Sequence, residues 1–390
     1  MTSIRAFDRA TDGDIAWRLR AIAFGGPRQP EPGWTDADWQ GWVGTDDDGT
    51  VRAFCRAYPM RQFWGGVAVP VAGLASVAVD PSARGRGFAS AMLDRVLADV
   101  RDAGQPLSIL YPSVPALYRG RGWEHAGVCE SVEVPTLALR AVPRTDVPVR
   151  PATDADLPAI RACYLRLAAE VDGLLDRSAA PFDMAGHTGA DMATVVDGAD
   201  GEDGADGLRG YLVAWRGQRG LVVEDLVAHD TEAARALLTA AASWAGALHE
   251  VRLRLLEPRP LMAAALTSEI SSELWMLRVV DLAAAVAARG WPRAALLREG
   301  LAVDLDVVDE HAPWNAGPHR LVVTGSGVEV AAGGAGTVRI TARGLAAWYA
   351  GAADTATLRR AGLLSGPPAD AAPLDLLTGA AGPARLGDGF

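Results

Sequence analysis

The segment Val77-Ala78-Val79-Asp80-Pro81-Ser82-Ala83-Arg84-Gly85-Arg86-Gly87-Phe88-Ala89 limits the possible folds more than any other part of the chain. It opens with apolar, β-branched residues, as a strand requires, and turns at Asp80-Pro81. Phe88, Met92, Val96 and Val100 then recur at four-residue spacing with Leu93 and Leu97 beside them, which predicts one buried face of a helix. Between strand and helix stand Arg84, Gly85, Arg86 and Gly87. A Gly-rich turn at a helix N-terminus is an anion site, because the first N–H groups lack intrahelical partners and the dipole favours negative charge. Glycines let the backbone approach a diphosphate closely, and Arg84 and Arg86 add cations. No Gly-Lys-Ser/Thr closes the segment, so it is not a P-loop, and its glycines are spaced wrongly for a dinucleotide fingerprint.

The chain has 390 residues, enough for two or three domains, each with its own core. Apolar residues make up 49%, as in globular proteins. A net charge of −11 gives no electrostatic support to nucleic-acid binding. All 37 basic residues are Arg, with no Lys, which reads with the abundant Ala and Gly as coding bias. Cys55, Cys129 and Cys163 form no pairing framework and read as buried, inert thiols. The histidines have no metal-ligand spacing, so no metal is expected. No signal-peptide core and no long apolar run are present, and a cytoplasmic protein is expected.

Residues 1–145 read as one α/β unit. Helices are expected at Ile15 to Phe24 and Thr35 to Trp42, and strands at Val51 to Met60 and Phe63 to Val79. The loop–helix follows, then a strand Leu107 to Tyr111, a short helix Val114 to Arg121 and a strand Cys129 to Val134. Residues 146–295 restart at a capped helix near Thr153 and Asp154. Strands Leu208 to Trp215 and Gly220 to Val227, a helix Thr231 to Leu248 and a strand Glu250 to Leu256 repeat the order of the first unit, without its loop. The acidic, Gly-rich stretch Gly198 to Gly207 reads as an exposed loop. Residues 296–390 form a third unit. Strands there are expected at Leu301 to Val307, His319 to Thr324, Gly327 to Ala331 and Thr337 to Thr341, and helices at Arg343 to Tyr349 and Thr355 to Ala361. The whole is α+β.

Arg84-x-x-Gly87-x-Ala89 resembles the pyrophosphate loop of the GNAT superfamily of N-acetyltransferases. That likeness implies that acetyl-CoA is the co-substrate, with its diphosphate on Arg84, Gly85, Arg86, Gly87, Phe88 and Ala89, and its pantetheine arm along Val77 and Val79. Three further segments, Tyr111 to Trp123, Trp275 to Asp281 and Gly344 to Gly351, extend the likeness over the full length. Together they resemble the enhanced-intracellular-survival (Eis) acetyltransferases. The resemblance implies two tandem GNAT-like mixed-sheet domains, the second degenerate, followed by a sterol-carrier-protein-like α+β domain. It also implies a general acid at Tyr118, a cofactor contact at Ser113, and a general base in the carboxylate of Phe390, reached by the chain's C-terminus. Arg278 and Asp281 read as an interdomain ion pair.

The family takes cationic polyamines such as aminoglycosides in an acidic, aromatic cleft. Phe24, Trp34, Asp36, Asp38 and Trp39 occupy the corresponding region, and aromatic faces and carboxylates suit ammonium groups. The Gly25 to Gly33 stretch reads as a shaped loop at the mouth of that cleft. The resemblance further implies a homo-oligomer, a trimer or hexamer, for which the apolar face Leu282 to Val286 offers support. No nucleic-acid or membrane partner is expected. Two alternatives remain open: transfer of another acyl group or to another acceptor in specialised metabolism, and a lipid- or sterol-binding protein. The small, turn-rich stretches Ala331 to Gly336 and Leu376 to Gly382 argue against a lipid tunnel.

Overall fold

The computed structural model describes residues 2–36, 38–178, 184, 186–198, 207–264, 269–378 and 383–390. Two compact units emerge, one of Met1–Gly127, Leu274–Ala384 and Phe390, the other of Val128–Glu273 and Arg385–Gly389. The chain leaves the first unit after Gly127 and returns to it at Leu274.

In chain order, β1 (Ser3–Ala6) pairs antiparallel with β2 (Gln40–Thr45), with α1 (Gly13–Phe24) between them in sequence. β3 (Val51–Trp64) and β4 (Val67–Val79) make a long antiparallel hairpin. Gly65 and Gly66 turn it with φ of 57° and 82°, a conformation that glycine adopts without strain. α2 (Phe88–Asp102) and β5 (Leu107–Leu110) follow, β5 lying parallel to β4. α3 (Pro115–Arg119) and β6 (Glu124–Pro135) complete this stretch. The apolar face of α2, Phe88, Met92, Val96 and Val100, packs on Ala53, Cys55, Ala72 and Leu74, as its four-residue spacing requires. α1 packs on β3 and β4 as well.

The second unit holds β7 (Arg150–Pro151), α4 (Leu157–Ala168), β8 (Met192–Asp197), β9 (Leu208–Arg216), β10 (Gly220–Ala228), α5 (Thr231–Ala242), β11 (Glu250–Leu255) and α6 (Arg259–Ala264). The C-terminal half of β6 pairs antiparallel with β11, which lies parallel to β10. Leu212, Leu221, Leu237 and Val251 are among its core residues. At its centre Arg177 meets Asp225 at 2.5 Å and Asp388 at 2.8 Å, with its guanidinium 4.0 Å from the Tyr164 ring centroid.

β12 (Ile270–Val279) returns the chain to the first unit, pairing antiparallel with β5 through Met276 to Val279. α7 (Leu282–Ala288) and α8 (Arg293–Leu296) follow. β13 (Ala302–Val308), β14 (Gly317–Thr324), β15 (Gly327–Ala332), β16 (Val338–Thr341) and β17 (Leu364–Ser365) form a separate sheet in the order β15-β14-β13-β16-β17. α9 (Ala342–Tyr349), α10 (Thr355–Arg360), α11 (Pro368–Thr378) and the short β18 (Ala384–Arg385) end the chain.

The mixed α/β character and most elements match the sequence reading, and several points are corrected. Among the described residues of Thr35 to Trp42 no helix forms where one was expected: Thr35 and Asp36 lie in a turn, and β2 begins at Gln40. Stacking of Trp34 on Trp39, with centroids 5.6 Å apart, fixes that path. The apolar face Leu282 to Val286 is buried within its own unit, so it offers nothing to a second copy. Arg278 pairs with Asp309, not Asp281; Asp281 caps α7 and meets Arg101 at 3.1 Å. Of the stretch Leu376 to Gly382, expected to be turn-rich, Leu376 to Thr378 close α11, and residues 379–382 lie outside the described residues. Of the acidic loop Gly198 to Gly207, residues 199–206 lie outside the described residues. No helix among the described residues is long and apolar enough to cross a membrane.

Candidate active site

β4 is paired on its β5 side only at Val71, Ala72 and Gly73. Beyond Gly73 the two strands part, and β4 runs on to Val79 with that edge open. On the β3 side the ladder is continuous except between Ala75 and Ala78, where Ser76 and Val77 stand opposite Cys55. Such a bulge turns backbone groups out of the ladder. Ser76 has φ of 56°, the sole non-glycine in the positive region among the described residues, and strain of this kind is held in place by surrounding structure. Val77 and Val79 therefore offer backbone amides and carbonyls along an open edge, aimed from the bulge towards the loop.

The loop keeps its amides available. Arg84, Gly85, Arg86 and Gly87 are exposed, and Gly85 and Gly87 have φ of 76° and 86°. Gly87 is the N-cap of α2 and brings no capping side chain, so the first turn, Phe88 and Ala89 included, keeps uncapped donors. Asp46 holds Arg86 at 2.5 Å and Arg52 at 2.6 Å, and the Arg86 guanidinium lies 5.4 Å from the Phe88 ring centroid. Arg86 is thereby oriented by Asp46, while Arg84 makes no ion pair among the described residues. An uncapped, glycine-shaped N-terminus beside an arginine fits a diphosphate.

Tyr118 projects from α3 into the core that α2 covers and is 4% exposed. Its ring meets Trp123 edge-on at 6.4 Å. Burial raises its hydroxyl pKa to about 12, and the side chain of Ser113, within hydrogen-bonding reach, pulls the other way. Phe390 sits at the parting of the strands. Its ring is 5.7 Å from that of Tyr111, just after β5, and 3.2 Å from where a Cβ on Gly73 would stand. Gly73 is the cross-strand partner of Tyr58, so Phe390 lies on the face of β3 and β4 that carries Tyr58. Cys55, Leu74 and Tyr118 belong to the α2 side.

The residues expected at the acceptor are not all presented. Phe24 is 51% exposed and Asp36 and Asp38 are exposed, but Trp34 is half-buried and Trp39 is 4% exposed. Trp34 and Trp39 join Phe7, Trp17 and Phe54 in one aromatic cluster. The face of Trp39 is taken by Arg9 at 4.8 Å and Arg56 at 5.8 Å, and that of Trp17 by Arg20 at 4.7 Å. Trp39 is therefore a packing residue whose ring already holds cations. Pro27 accepts a bond from Trp17 Nε1 at 2.8 Å, which folds the Gly25 to Gly33 loop over α1. The sequence reading missed the Ser76 bulge, the Asp46 clamp, Arg20 and Arg56.

Residues 7–126 match the model of the acetyltransferase (GNAT) domain, and residues 282–385 that of the sterol carrier protein domain. An uncharacterized N-acetyltransferase of Streptomyces coelicolor is 33% identical over 328 residues, spanning 76% of this chain and 75% of the relative. The chain belongs to the GNAT family of N-acetyltransferases. A second uncharacterized N-acetyltransferase, from Streptomyces avermitilis, is 31% identical over 82% of this GNAT protein and 81% of its own length. The crystal structure of a GCN5-related N-acetyltransferase from Kribbella flavida matches over 100% of both chains with a TM-score of 0.84 and 29% identity. Eis1 from Mycobacterium abscessus also matches over 100% of both chains, with a TM-score of 0.74 and 23% identity, a likeness of fold. A GNAT domain followed by a sterol-carrier-protein domain, with Eis1 as a structural neighbour, is the plan that the sequence landmarks implied.

Proposed function

We propose that this GNAT enzyme transfers the acetyl group of acetyl-CoA to an amine at the point where β4 and β5 part. The observation that carries the reading is the continuous open edge of β4, which runs from the bulge at Ser76 to the uncapped N-terminus of α2. The amides of Arg84 to Ala89 take the diphosphate and Val77 and Val79 pair with the pantetheine amides. Ser113 touches the same arm and steadies Tyr118. The acyl end then lies at the bulge, between the face bearing Tyr118 and the face bearing Phe390.

In the reaction the amine nitrogen forms a bond to the acetyl carbon and the carbon–sulfur bond breaks. The carboxylate of Phe390 takes the proton that the nitrogen loses, and Tyr118 supplies one to the departing sulfur. Acid and base act on different atoms, the departing sulfur and the attacking nitrogen, so the two groups need not share a face of the sheet. The acceptor class is an amine. The polycation implied by the resemblance loses the support of Trp39, whose face is occupied, while Phe24, Trp34 and Asp36 remain at the rim. A trimer or hexamer rests on the resemblance alone, and light scattering tests it.

Calorimetry with acetyl-CoA, followed by a thiol-release assay against a panel of amines, tests the reading. Saturable acetyl-CoA binding and amine-dependent thiol release are expected. Absence of acetyl-CoA binding would overturn it.

A further inference from the structure

Two guanidinium groups lie on the acceptor face with no hydrogen-bond or ion-pair partner among the described residues. Arg56 is on β3, opposite Ala75 and next to the bulge. Its guanidinium stacks 4.9 Å from the Tyr58 ring centroid, and Tyr58 in turn stands opposite Gly73, on which the Phe390 ring rests. Arg20 comes from α1, its guanidinium over Trp17. Arg56 Nε and Arg20 Nη1 are both buried and bonded to nothing. This is an unusual state for a cationic donor. Buried N–H groups are nearly always paired, because an unpaired one loses its water without replacing it.

Other arginines of the same unit show what a merely structural arginine does. Arg86 and Arg52 share Asp46, and Arg278 grips Asp309 with two bonds. Arg20 and Arg56 have aromatic faces but no acid. Stacking occupies the plane of a guanidinium and leaves its edge, with its fork of N–H donors, for an anion. Arg56 lies over Trp39 and Arg20 over Trp17, and both tryptophans meet Trp34, so the two cations flank one aromatic cluster; burial, and after it Arg20, lower the proton affinity of Arg56. A single anionic group can therefore relieve both.

We propose that the amine acceptor carries an anionic group, a carboxylate or a phosphate, which Arg20 and Arg56 bind while the amine faces the acyl carbon. The inference rests on the acetyl-transfer reading only for the statement that this face receives the acceptor. Arg84 to Ala89 serve the far end of β4, so Arg20 and Arg56 are not needed for the diphosphate of the donor. An acid on the substrate also explains why the tryptophan faces here hold arginines and are closed to a substrate ammonium.

Matched product analogues test this without knowledge of the natural acceptor. N-acetylglycine is titrated against N-acetylglycinamide, and O-phospho-N-acetylethanolamine against N-acetylethanolamine, by calorimetry on the full chain. We expect the charged member of at least one pair to bind tenfold or more tightly than its neutral partner, and the pair that responds tells carboxylate from phosphate. Arg56→Gln and Arg20→Gln should each remove the preference, and Arg56→Lys should keep part of it. Melting temperature and acetyl-CoA affinity are followed in parallel to separate loss of the site from loss of fold. Equal binding of both members in both pairs, or no measurable binding, overturns the proposal. So does a preference that survives both Gln variants. A charged-probe preference without acetyl-CoA binding would leave the anion site standing and remove the acetyltransferase reading.

Discussion

Tyr118, the proposed general acid, shows how burial sets what a proton donor can do. With a hydroxyl pKa of about 12, the phenol stays protonated across the whole working range. The same shift makes complete transfer to a thiolate costly. A thiol that titrates near 8.5 is the stronger acid by about 3.5 units, or about 5 kcal/mol. Tyr118 then works best by donating a hydrogen bond as sulfur gains charge, with the proton passing over only as the carbon–sulfur bond breaks. Tyr118→Phe should leave the fold and acetyl-CoA affinity intact and lower turnover by about 10²–10⁴-fold, measured where chemistry limits the rate. The pH profile follows from the same direction of shift. Because the donor keeps its proton, kcat/KM should rise as the acceptor amine is deprotonated and should not fall again below pH ~10. A descending limb with an apparent pKa between about 8 and 9 would take Tyr118 out of the role. Gly87 makes a second case at this scale. A Cβ there would meet nothing within 4 Å, so the cost of a side chain is conformational, set by its φ of 86°. Gly87→Val must move the backbone, at about 1–2 kcal/mol or more, and so turn the α2 amides. Acetyl-CoA should bind at least tenfold more weakly by calorimetry, with little change in melting temperature.

At the scale of elements, β12 does most to hold the site in place. Arg278 on this strand is fully buried, donates to Asp309 at 2.6 and 2.7 Å, and gives its Nε to the carbonyl of Arg121 at 2.9 Å. Arg121 lies in the turn that closes α3, its N–H donating to the Tyr118 carbonyl, so one guanidinium fixes the end of the helix that carries Tyr118. Asp309→Ala leaves a buried cation alone and should destabilise the protein by about 3–5 kcal/mol in chemical denaturation. Replacing both partners by apolar residues, Arg278→Met with Asp309→Leu, should restore much of that stability but not the activity, since the Arg121 carbonyl loses its donor. This element also marks where the sequence stops being legible. The strand, loop and α2 helix could be read from Val77 to Val100 because alternation and four-residue spacing are local patterns. β12 has its partner, β5, far away in the chain, and nothing in Ile270 to Val279 announces it. The helix expected at Thr35 to Trp42 failed for a related reason: Trp34, Trp39 and Phe54 gather from separate segments, and their packing overrides local spacing. The bulge at Ser76 left no mark on a run that reads simply as strand. Arg20 and Arg56 were visible only as two of many arginines, and their lack of a partner is a property of the fold.

Across the whole molecule, the C-terminal segment is held at several points. Arg385 meets Glu130 at 2.7 Å, Leu386 donates to the carbonyl of Val128 at 3.0 Å, and Asp388 pairs with the buried Arg177. Phe390, two bonded residues on, packs against Tyr111 and Gly73. If its carboxylate is the base, a peptide tag added after Phe390 should abolish thiol release while acetyl-CoA still binds, and the same tag before Met1 should be tolerated. Equal activity of the two tagged proteins would remove the carboxylate from the mechanism. A last consequence follows from the cations themselves. The sequence contains 37 arginines and no lysine, and the clamps on Asp46, Asp225 and Asp309 are all made by guanidinium groups. Arginine is not an acceptor for acetyl transfer at neutral pH, because its guanidinium does not give up its proton there. An enzyme that moves acetyl groups onto amines thus offers no side-chain amine of its own. Prolonged incubation with acetyl-CoA should leave no N-acetylated side chain in peptide mass spectra, and no ion pair that shapes the site can be erased by the protein's own amine acetylation.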